Sequence, residues 1–141
     1  MSAKKSIFLS TGSVEFIQLT TQKNGPKWSE AINSTIRQIR YLIKYSIPEL
    51  TVEEWETLID VYKTEEFPAY GLRPWIARDI MSRYGILSTE LLEPKQATLV
   101  KKMDGLDDVQ QLAVLYVIQI YKNSDSKAIT EDIVQKIKNF M

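Results

Sequence analysis

The segment that most constrains the fold is residues 107–121, DDVQQLAVLYVIQIY, whose apolar positions cover nearly the whole circumference of a helix. These positions include Val109, Leu112, Ala113, Leu115, Tyr116, Val117, Ile118, Ile120 and Tyr121. A helix that is apolar almost all round lies at the centre of a protein. The β-branched run also fits a buried strand, but the polar start favours a helix capped by Asp107 or Asp108. We therefore expect the other helices to surround this one.

A second strong helical pattern covers residues 28–46, WSEAINSTIRQIRYLIKYS, after a turn that places Pro26 at the helix entrance. Its apolar side chains recur three or four residues apart, which puts them on one stripe: Trp28, Ile32, Ile36, Ile39 and Ile43. The spacing predicts that this stripe faces the core.

Start and stop signals predict the remaining helices. Thr51 with Glu54 forms a capping box, Pro74 and Pro94 each open a helix, and Thr130 caps the last one. Gly85 and Gly105 are typical of the positions just beyond a helix end. The predicted inward stripe of the last helix is Ile133, Val134, Ile137 and Phe140.

Residues 6–22, SIFLSTGSVEFIQLTTQ, are rich in β-branched and aromatic residues around Thr11-Gly12, which predicts a β-hairpin. A lone hairpin is marginal in water, so it would pack on the helices or pair with a second copy. The predicted fold class is mainly α. It is a single domain over residues 1–141, with hairpin and turn over 1–25 and a bundle of about five to six helices over 26–141.

Composition excludes much of enzyme chemistry. The chain has no Cys and no His, which removes thiol nucleophiles, imidazole or thiolate metal sites and histidine-dependent catalysis. The 18 basic and 18 acidic residues balance, so no global field attracts nucleic acid. Residues 1–46 nevertheless carry a net charge of +5 and residues 47–70 a net charge of −6. These two blocks either serve partner docking or face each other.

Nothing in the sequence predicts membrane insertion. The apolar run after Lys4 and Lys5 is only residues 7–9, shorter than a signal-peptide core. No window approaches the length of a bilayer-spanning helix. We expect a soluble, cytoplasmic protein.

The first candidate binding surface is a basic stripe on the helix at 28–46. Arg37, Arg40, Tyr41 and Lys44 recur three or four residues apart, on a different face from the isoleucines. Arginine binds phosphate or carboxylate bidentately, and tyrosine stacks on bases or packs on a partner. The alternative is a solvated face, or one paired with the acids of the next helix.

Residues 29–32, SEAI, resemble the opening of the second helix in ribbon-helix-helix DNA-binding proteins, whose paired strands enter the major groove. That family has a helix between the strand and this segment, whereas about six turn residues intervene here. The chain is not assigned to the family.

The second candidate surface is the loop TEEFPAYGLRPW, residues 64–75. Phe67, Tyr70 and Trp75 beside Arg73 match the composition of interface hot spots. The alternative is that these aromatic side chains fold back over the core.

Carboxylate pairs complete the search: Glu53, Glu54 and Glu56, and Asp107 with Asp108, all lie at predicted helix starts, where acids serve as caps. No phosphate-binding loop, nucleophile motif or calcium loop is present in the sequence. We expect no catalytic residues, no cofactor, no metal and no small-molecule site.

Together these observations predict a small non-enzymatic protein-interaction or regulatory module that acts through surface contacts. A protein partner or self-association is favoured over nucleic acid. The alternative function is a nucleic-acid-binding regulator that uses the basic helix face and the N-terminal hairpin.

Overall fold

The computed structural model describes residues 9–21, 27–64, 72–84 and 92–141. These ranges contain seven helices: α1 Thr11–Thr21, α2 Trp28–Ser46, α3 Val52–Val61, α4 Ile76–Arg83, α5 Pro94–Asp104, α6 Asp108–Lys122 and α7 Glu131–Phe140. Within them there is no strand, so the prediction of a mainly helical protein is confirmed. Some sequence predictions lie outside the described ranges: the helix entrance at Pro26, the loop residues Phe67 and Tyr70, and the helix end at Gly85.

The chain divides into two compact units, Met1–Tyr41 and Leu42–Met141, with the boundary inside α2. The first unit contains α1 and most of α2. The second contains the end of α2 and the helices from α3 to α7. That the chain is a single domain stays a prediction. No helix among the described residues has the length and apolarity that crossing a bilayer requires.

The predicted β-hairpin is wrong, because α1 occupies residues 11–21. Ser10 begins this helix: its hydroxyl oxygen accepts a hydrogen bond from the Ser13 amide at 3.2 Å, and its carbonyl accepts one from the Val14 amide at 3.0 Å. Val14 and Ile17, one turn apart, face inward. Strand propensity depends on context, and here the cap and the helical spacing override it. The strand on which the ribbon-helix-helix resemblance depended is therefore α1.

Helix starts follow the predicted caps closely. The Thr51 hydroxyl accepts from the Glu54 amide at 3.1 Å and the Glu54 carboxylate accepts from the Thr51 amide at 2.9 Å, which completes the predicted capping box. Thr130 caps α7. Of the two residues that could cap α6, the structure selects Asp107, whose carboxylate accepts from the Gln110 amide at 2.8 Å.

The core of the second unit forms around α6, as predicted. Its buried residues are Gln111, Ala113, Val114, Leu115, Val117 and Ile118. They join one hydrophobic cluster with the fully buried side chains of α3, α4 and α5, which include Trp55, Leu58, Ile76, Ile80 and Met103. Helix α4 packs on α3 and α5, and α7 packs on α6.

A polar side chain from α6 completes the start of α4. Trp75, at the N-cap of α4, provides no side-chain acceptor. The buried Gln111 side chain takes this role instead. Its Oε1 accepts a hydrogen bond from the Ile76 backbone N–H at 3.3 Å, and its Nε2 donates one to the Leu106 backbone carbonyl at 3.3 Å. A buried polar group must find partners of this kind, so Gln111 couples α4, α6 and the turn between α5 and α6.

Two predicted core stripes, on α2 and α7, differ from the structure. Of the predicted α2 stripe, only Ile43 is buried, Ile32 is half-buried, and Trp28, Ile36 and Ile39 are exposed. On α7 the last helical residue, Phe140, is exposed, and Met141 is buried instead. Periodicity identifies an apolar stripe, but how much of it is covered depends on the neighbouring elements.

Replacement of the α6 cap should be costlier than replacement of its neighbour. Asp107→Ala removes the acceptor for the Gln110 amide, which we expect to cost about 1 kcal/mol of unfolding free energy. Asp108→Ala removes the same charge but leaves the cap in place, so it should lower the free energy of unfolding by only roughly 0.3 kcal/mol. Urea unfolding followed by circular dichroism measures both, and equal losses would contradict the capping role.

Replacing each of two isoleucines of α2 by alanine should lower the free energy of unfolding by very different amounts. Ile43 is 8% exposed and belongs to the core cluster, so Ile43→Ala should cost about 2–5 kcal/mol. Ile36 is 49% exposed, and Ile36→Ala should cost less than about 1 kcal/mol. The same unfolding assay compares the pair; a large loss for Ile36→Ala would show that Ile36 is a core residue in solution.

Candidate functional site

The predicted basic stripe lies on a continuous helix. Arg37, Arg40 and Tyr41 are exposed on α2, in the part that belongs to the first unit, and Lys44 is half-buried one turn further on. Arg40 and Tyr41 each have an interaction partner within the chain. The structure thus places all four residues on one helix, with Lys44 the least accessible of them.

Exposed apolar side chains adjoin this stripe. Ile36 is 49% exposed and Ile39 is 42% exposed. Arg40 follows Ile36 by four residues and Arg37 by three, so it lies between the apolar and basic stripes on the helix surface. We call Ile36, Arg37, Ile39 and Arg40 the α2 face. The sequence indicated its arginines as a binding surface but assigned its isoleucines to the core.

The first unit is packed where α1 meets the start of α2. Ile17 on α1 and Ala31 on α2 are buried, and a groove of about 230 Å³ lies between Leu9, Val14, Trp28 and Ile32. The small side chain of Ala31 and the β-branched Ile17 therefore provide the internal contact surface of this unit. The isoleucines at 36 and 39 are not part of it.

The acidic start of α3 is paired with lysines of α5. The Glu53 carboxylate forms an ion pair with the Lys95 ammonium. The Glu54 carboxylate lies 3.0 Å from the Lys102 ammonium. A groove of about 410 Å³ runs between the two helices, and the hydroxyls along it at Thr57 and Thr98 donate to backbone carbonyls one turn earlier. These polar groups serve the fold.

The pKa of Glu54 reflects this arrangement. Partial burial of the carboxyl raises its pKa, but the hydrogen bond from the Thr51 amide and the ammonium of Lys102 together outweigh burial, so the net pKa is lowered. Because the folded pKa is lowered, Glu54 stabilises the fold above its ordinary value of 4.5, and that stabilisation is lost as the pH falls through the folded value.

The described part of the predicted aromatic loop forms a cation–π cluster. The Arg73 guanidinium lies 5.0 Å from the Trp75 ring centroid, and the Arg78 guanidinium lies 5.2 Å from it. Trp75 is 46% exposed, so it does not fold back over the core. The sequence analysis missed Arg78, although its position three residues after Trp75 is the signal that could have identified it. Phe67 and Tyr70 lie outside the described residues.

Two tyrosine–carboxylate pairs join α3, with the turn after it, to α4. The Tyr62 hydroxyl donates to the Asp79 carboxylate at 2.5 Å, and the Tyr84 hydroxyl donates to the Asp60 carboxylate at 3.3 Å. Burial and the negative charge of Asp60 raise the pKa of Tyr84. The raised pKa keeps the Tyr84 hydroxyl protonated as a hydrogen-bond donor to Asp60. Both pairs link the region of α3 to α4.

The carboxylates do not form a metal centre in the described ranges, where no group of three or more His, Cys, Asp or Glu side chains is placed to hold an ion. Comparison with known proteins finds no matching family model, no matching curated protein and no matching solved structure. Among the described residues, the α2 face and the Arg73–Trp75–Arg78 cluster combine exposure with binding chemistry.

The Lys102 ammonium should hold down the pKa of Glu54. Lys102→Met is expected to raise that pKa, because it removes a favourable charge and leaves the burial in place. Lys101→Met, an exposed neighbour, is the matched control. Carbon-detected NMR titration of the Glu54 carboxyl measures both variants. An unchanged pKa in Lys102→Met would show that the ion pair does not persist in solution.

Proposed function

We propose that this protein is a small helical protein-interaction module of a regulatory kind, which binds its partner through the α2 face. The observation that carries the proposal is the exposure of Ile36 at 49% and Ile39 at 42%, beside Arg40. Arg37 lies one turn before Arg40 on the basic stripe. Arginine next to exposed aliphatic side chains is a combination that protein interfaces use at their centres and rims.

The free energy available from burying the exposed isoleucines supports the proposal. Burial of an isoleucine side chain from full exposure stabilises by about 1.5–3 kcal/mol, so covering two half-exposed ones contributes a comparable total of about 1.5–3 kcal/mol. Neither isoleucine belongs to the hydrophobic core cluster. A partner that covers them gains this free energy, and the arginines add orientation and specificity.

The Arg73–Trp75–Arg78 cluster supplies a second contact surface in the proposal. Tryptophan and arginine are the residue types most enriched among interface hot spots. Its indole is exposed and its flanks are positively charged. Phe67 and Tyr70 remain predicted members of this surface.

Nucleic acid is the alternative partner for the same helix. The arginines at 37 and 40 and Lys44 could contact phosphates, but the hairpin that would have entered a groove is replaced by α1. Exposed isoleucines contribute little to phosphate binding, so a protein partner accounts for more of the surface. We place the protein in the cytoplasm, in keeping with a sequence that has no cysteine.

Capture from host lysate tests the proposal. The double variant Ile36→Ser, Ile39→Ser should lose a specific bound protein, with an affinity reduced about ten- to hundredfold, because two apolar contacts are removed. The matched control is Val109→Ser with Phe140→Ser, which removes two exposed apolar side chains from α6 and α7. Bound protein and bound nucleic acid are quantified separately after nuclease treatment of half the sample.

Loss of a protein from the Ile36, Ile39 variant alone, with unchanged thermal unfolding, supports the interaction module. Equal recovery from wild type, variant and control contradicts it. Nuclease-sensitive material that weakens steeply with salt, and is lost from Arg37→Glu with Arg40→Glu, would establish the nucleic-acid alternative instead.

A further inference from the structure

We propose that the Arg73–Trp75–Arg78 cluster binds an acidic segment of another protein through the carboxylates of that segment. The inference rests on the proposed function, in which this cluster is the second contact surface, and adds the chemistry of what the cluster binds. Three observations on the described residues carry it: both guanidiniums lie over one exposed indole, neither takes part in an ion pair, and the backbone beneath them is anchored.

The two arginines share a single aromatic ring. The guanidinium carbon of Arg73 lies 5.0 Å from the centroid of the Trp75 ring, and that of Arg78 lies 5.2 Å from it. A guanidinium that stacks on an aromatic ring uses its planar face, and the N–H donors at its edge stay available for a carboxylate. Trp75 is 46% exposed and both arginines are exposed. The cluster therefore presents two sets of donors beside one accessible apolar ring.

Neither arginine is neutralised by an ion pair within the described ranges. The four ion pairs found there all join a lysine to a glutamate or an aspartate, and none includes Arg73 or Arg78. Asp79, the acidic neighbour of Arg78 along the chain, accepts a hydrogen bond from the Tyr62 hydroxyl. Two cations that lie over the same ring repel each other, so an anionic segment that reaches both relieves this repulsion as it binds.

The backbone beneath the cluster is anchored. The Trp75 backbone N–H donates to the Arg73 carbonyl at 2.8 Å, which closes a tight turn around Pro74. The next residue, Ile76, begins α4 and is fully buried in the core cluster. Arg78 follows in the first turn of the same helix. Because the three side chains leave an ordered backbone, a ligand that binds them loses less of its binding free energy to ordering the site.

An acidic protein segment fits this cluster better than a nucleic acid does. Single-stranded nucleic acid binds by stacking its bases on aromatic rings, and a base on a ring face covered by a guanidinium must displace that guanidinium. The chain also has no overall excess of positive charge, since 18 basic and 18 acidic residues balance. A carboxylate binds at the guanidinium edges and leaves both cation–π contacts in place. An apolar side chain next to it can then cover the indole.

Two short synthetic peptides test the chemistry of the ligand. One carries Glu on both sides of a central Leu, and in the other every Glu is replaced by Gln, which keeps the shape and removes the charge. Binding of each labelled peptide to the full chain is measured by fluorescence anisotropy at low and high salt. The Glu peptide should bind about tenfold tighter than the Gln peptide, and its affinity should fall with salt. Equal affinities would overturn the inference.

The indole N–H signal of Trp75 locates the bound peptide. The Glu peptide should shift this signal in proton–nitrogen NMR spectra of the full chain, and Trp75→Phe assigns it by its loss. The other two indoles are internal controls that should not shift: Trp28 is 43% exposed and Trp55 is 1% exposed. A peptide that binds without moving the Trp75 signal, or that moves the Trp28 signal instead, contradicts a site at the cluster.

Removal of the two charges provides a further comparison. Arg73→Gln with Arg78→Gln should weaken binding of the Glu peptide about tenfold, because both sets of carboxylate donors are lost. Lys101→Gln with Lys127→Gln removes the same charge at exposed positions outside the cluster and should bind the peptide as the wild type does. Equal weakening by the two variants would show a non-specific charge effect and overturn the site. Thermal unfolding followed by circular dichroism checks that each variant is folded.

A conservative variant separates the guanidinium geometry from the charge. Arg73→Lys with Arg78→Lys keeps both positive charges but loses the planar fork that binds a carboxylate with two hydrogen bonds. The Glu peptide should bind this variant more weakly than the wild type and more tightly than the double Gln variant. Wild-type affinity in the lysine variant would overturn recognition by the stacked guanidiniums.

Other outcomes separate this inference from the proposed function. If lysate capture depends on Ile36 and Ile39 but the Glu peptide does not depend on Arg73 and Arg78, the interaction module stands and the acidic segment is overturned. In the reverse case the cluster binds an acidic segment and the α2 face is not the working surface. A phosphopeptide or a single-stranded DNA oligonucleotide that binds the cluster more tightly than the Glu peptide identifies a phosphate ligand and overturns the carboxylate ligand.

Discussion

The second unit depends on the burial of α6. Its side chains at 113–118 are almost all inaccessible, so the surrounding helices can cover a single apolar rod from several sides. Gln111 is buried on the same helix. Its side-chain oxygen accepts a hydrogen bond from the first backbone N–H of α4, a helix that has no side-chain cap at its own N-terminus. Apolar burial provides the free energy, and this one polar contact adds a specific link between α4 and α6.

The α2 helix shows how one stripe can serve two purposes. Ile43 belongs to the core cluster, while Ile36 and Ile39, on the same stripe, are largely exposed beside arginines. A continuous apolar stripe therefore does not mean continuous burial. The exposed middle of the stripe is where free energy remains available for association, which is why the proposed function is placed there and not at the polar groove between α3 and α5.

Much of the candidate site could be read from sequence, and part of it could not. The exposure of Arg37 and Arg40 followed from their position off the isoleucine stripe. Exposure of Ile36 and Ile39 could not be predicted, because it depends on which elements reach the middle of α2. The partners of Glu53 and Glu54 were equally inaccessible, since Lys95 and Lys102 are more than forty residues away and no local rule selects them. The exposure of Trp75 likewise depends on where α4 meets the core.

The sequence by itself determined the features that arise within about one turn of helix. These features are the capping residues Thr51 and Thr130, the end of α5 at Gly105, and the apolar circumference of α6. All of them are local, since side chain and backbone compete over three or four residues. Residues 11–21 were misjudged because β-branched composition outweighed the local signal of Ser10. Only the tertiary structure decided which apolar positions are covered and which charges meet, because burial and ion pairing depend on distant segments brought together by folding.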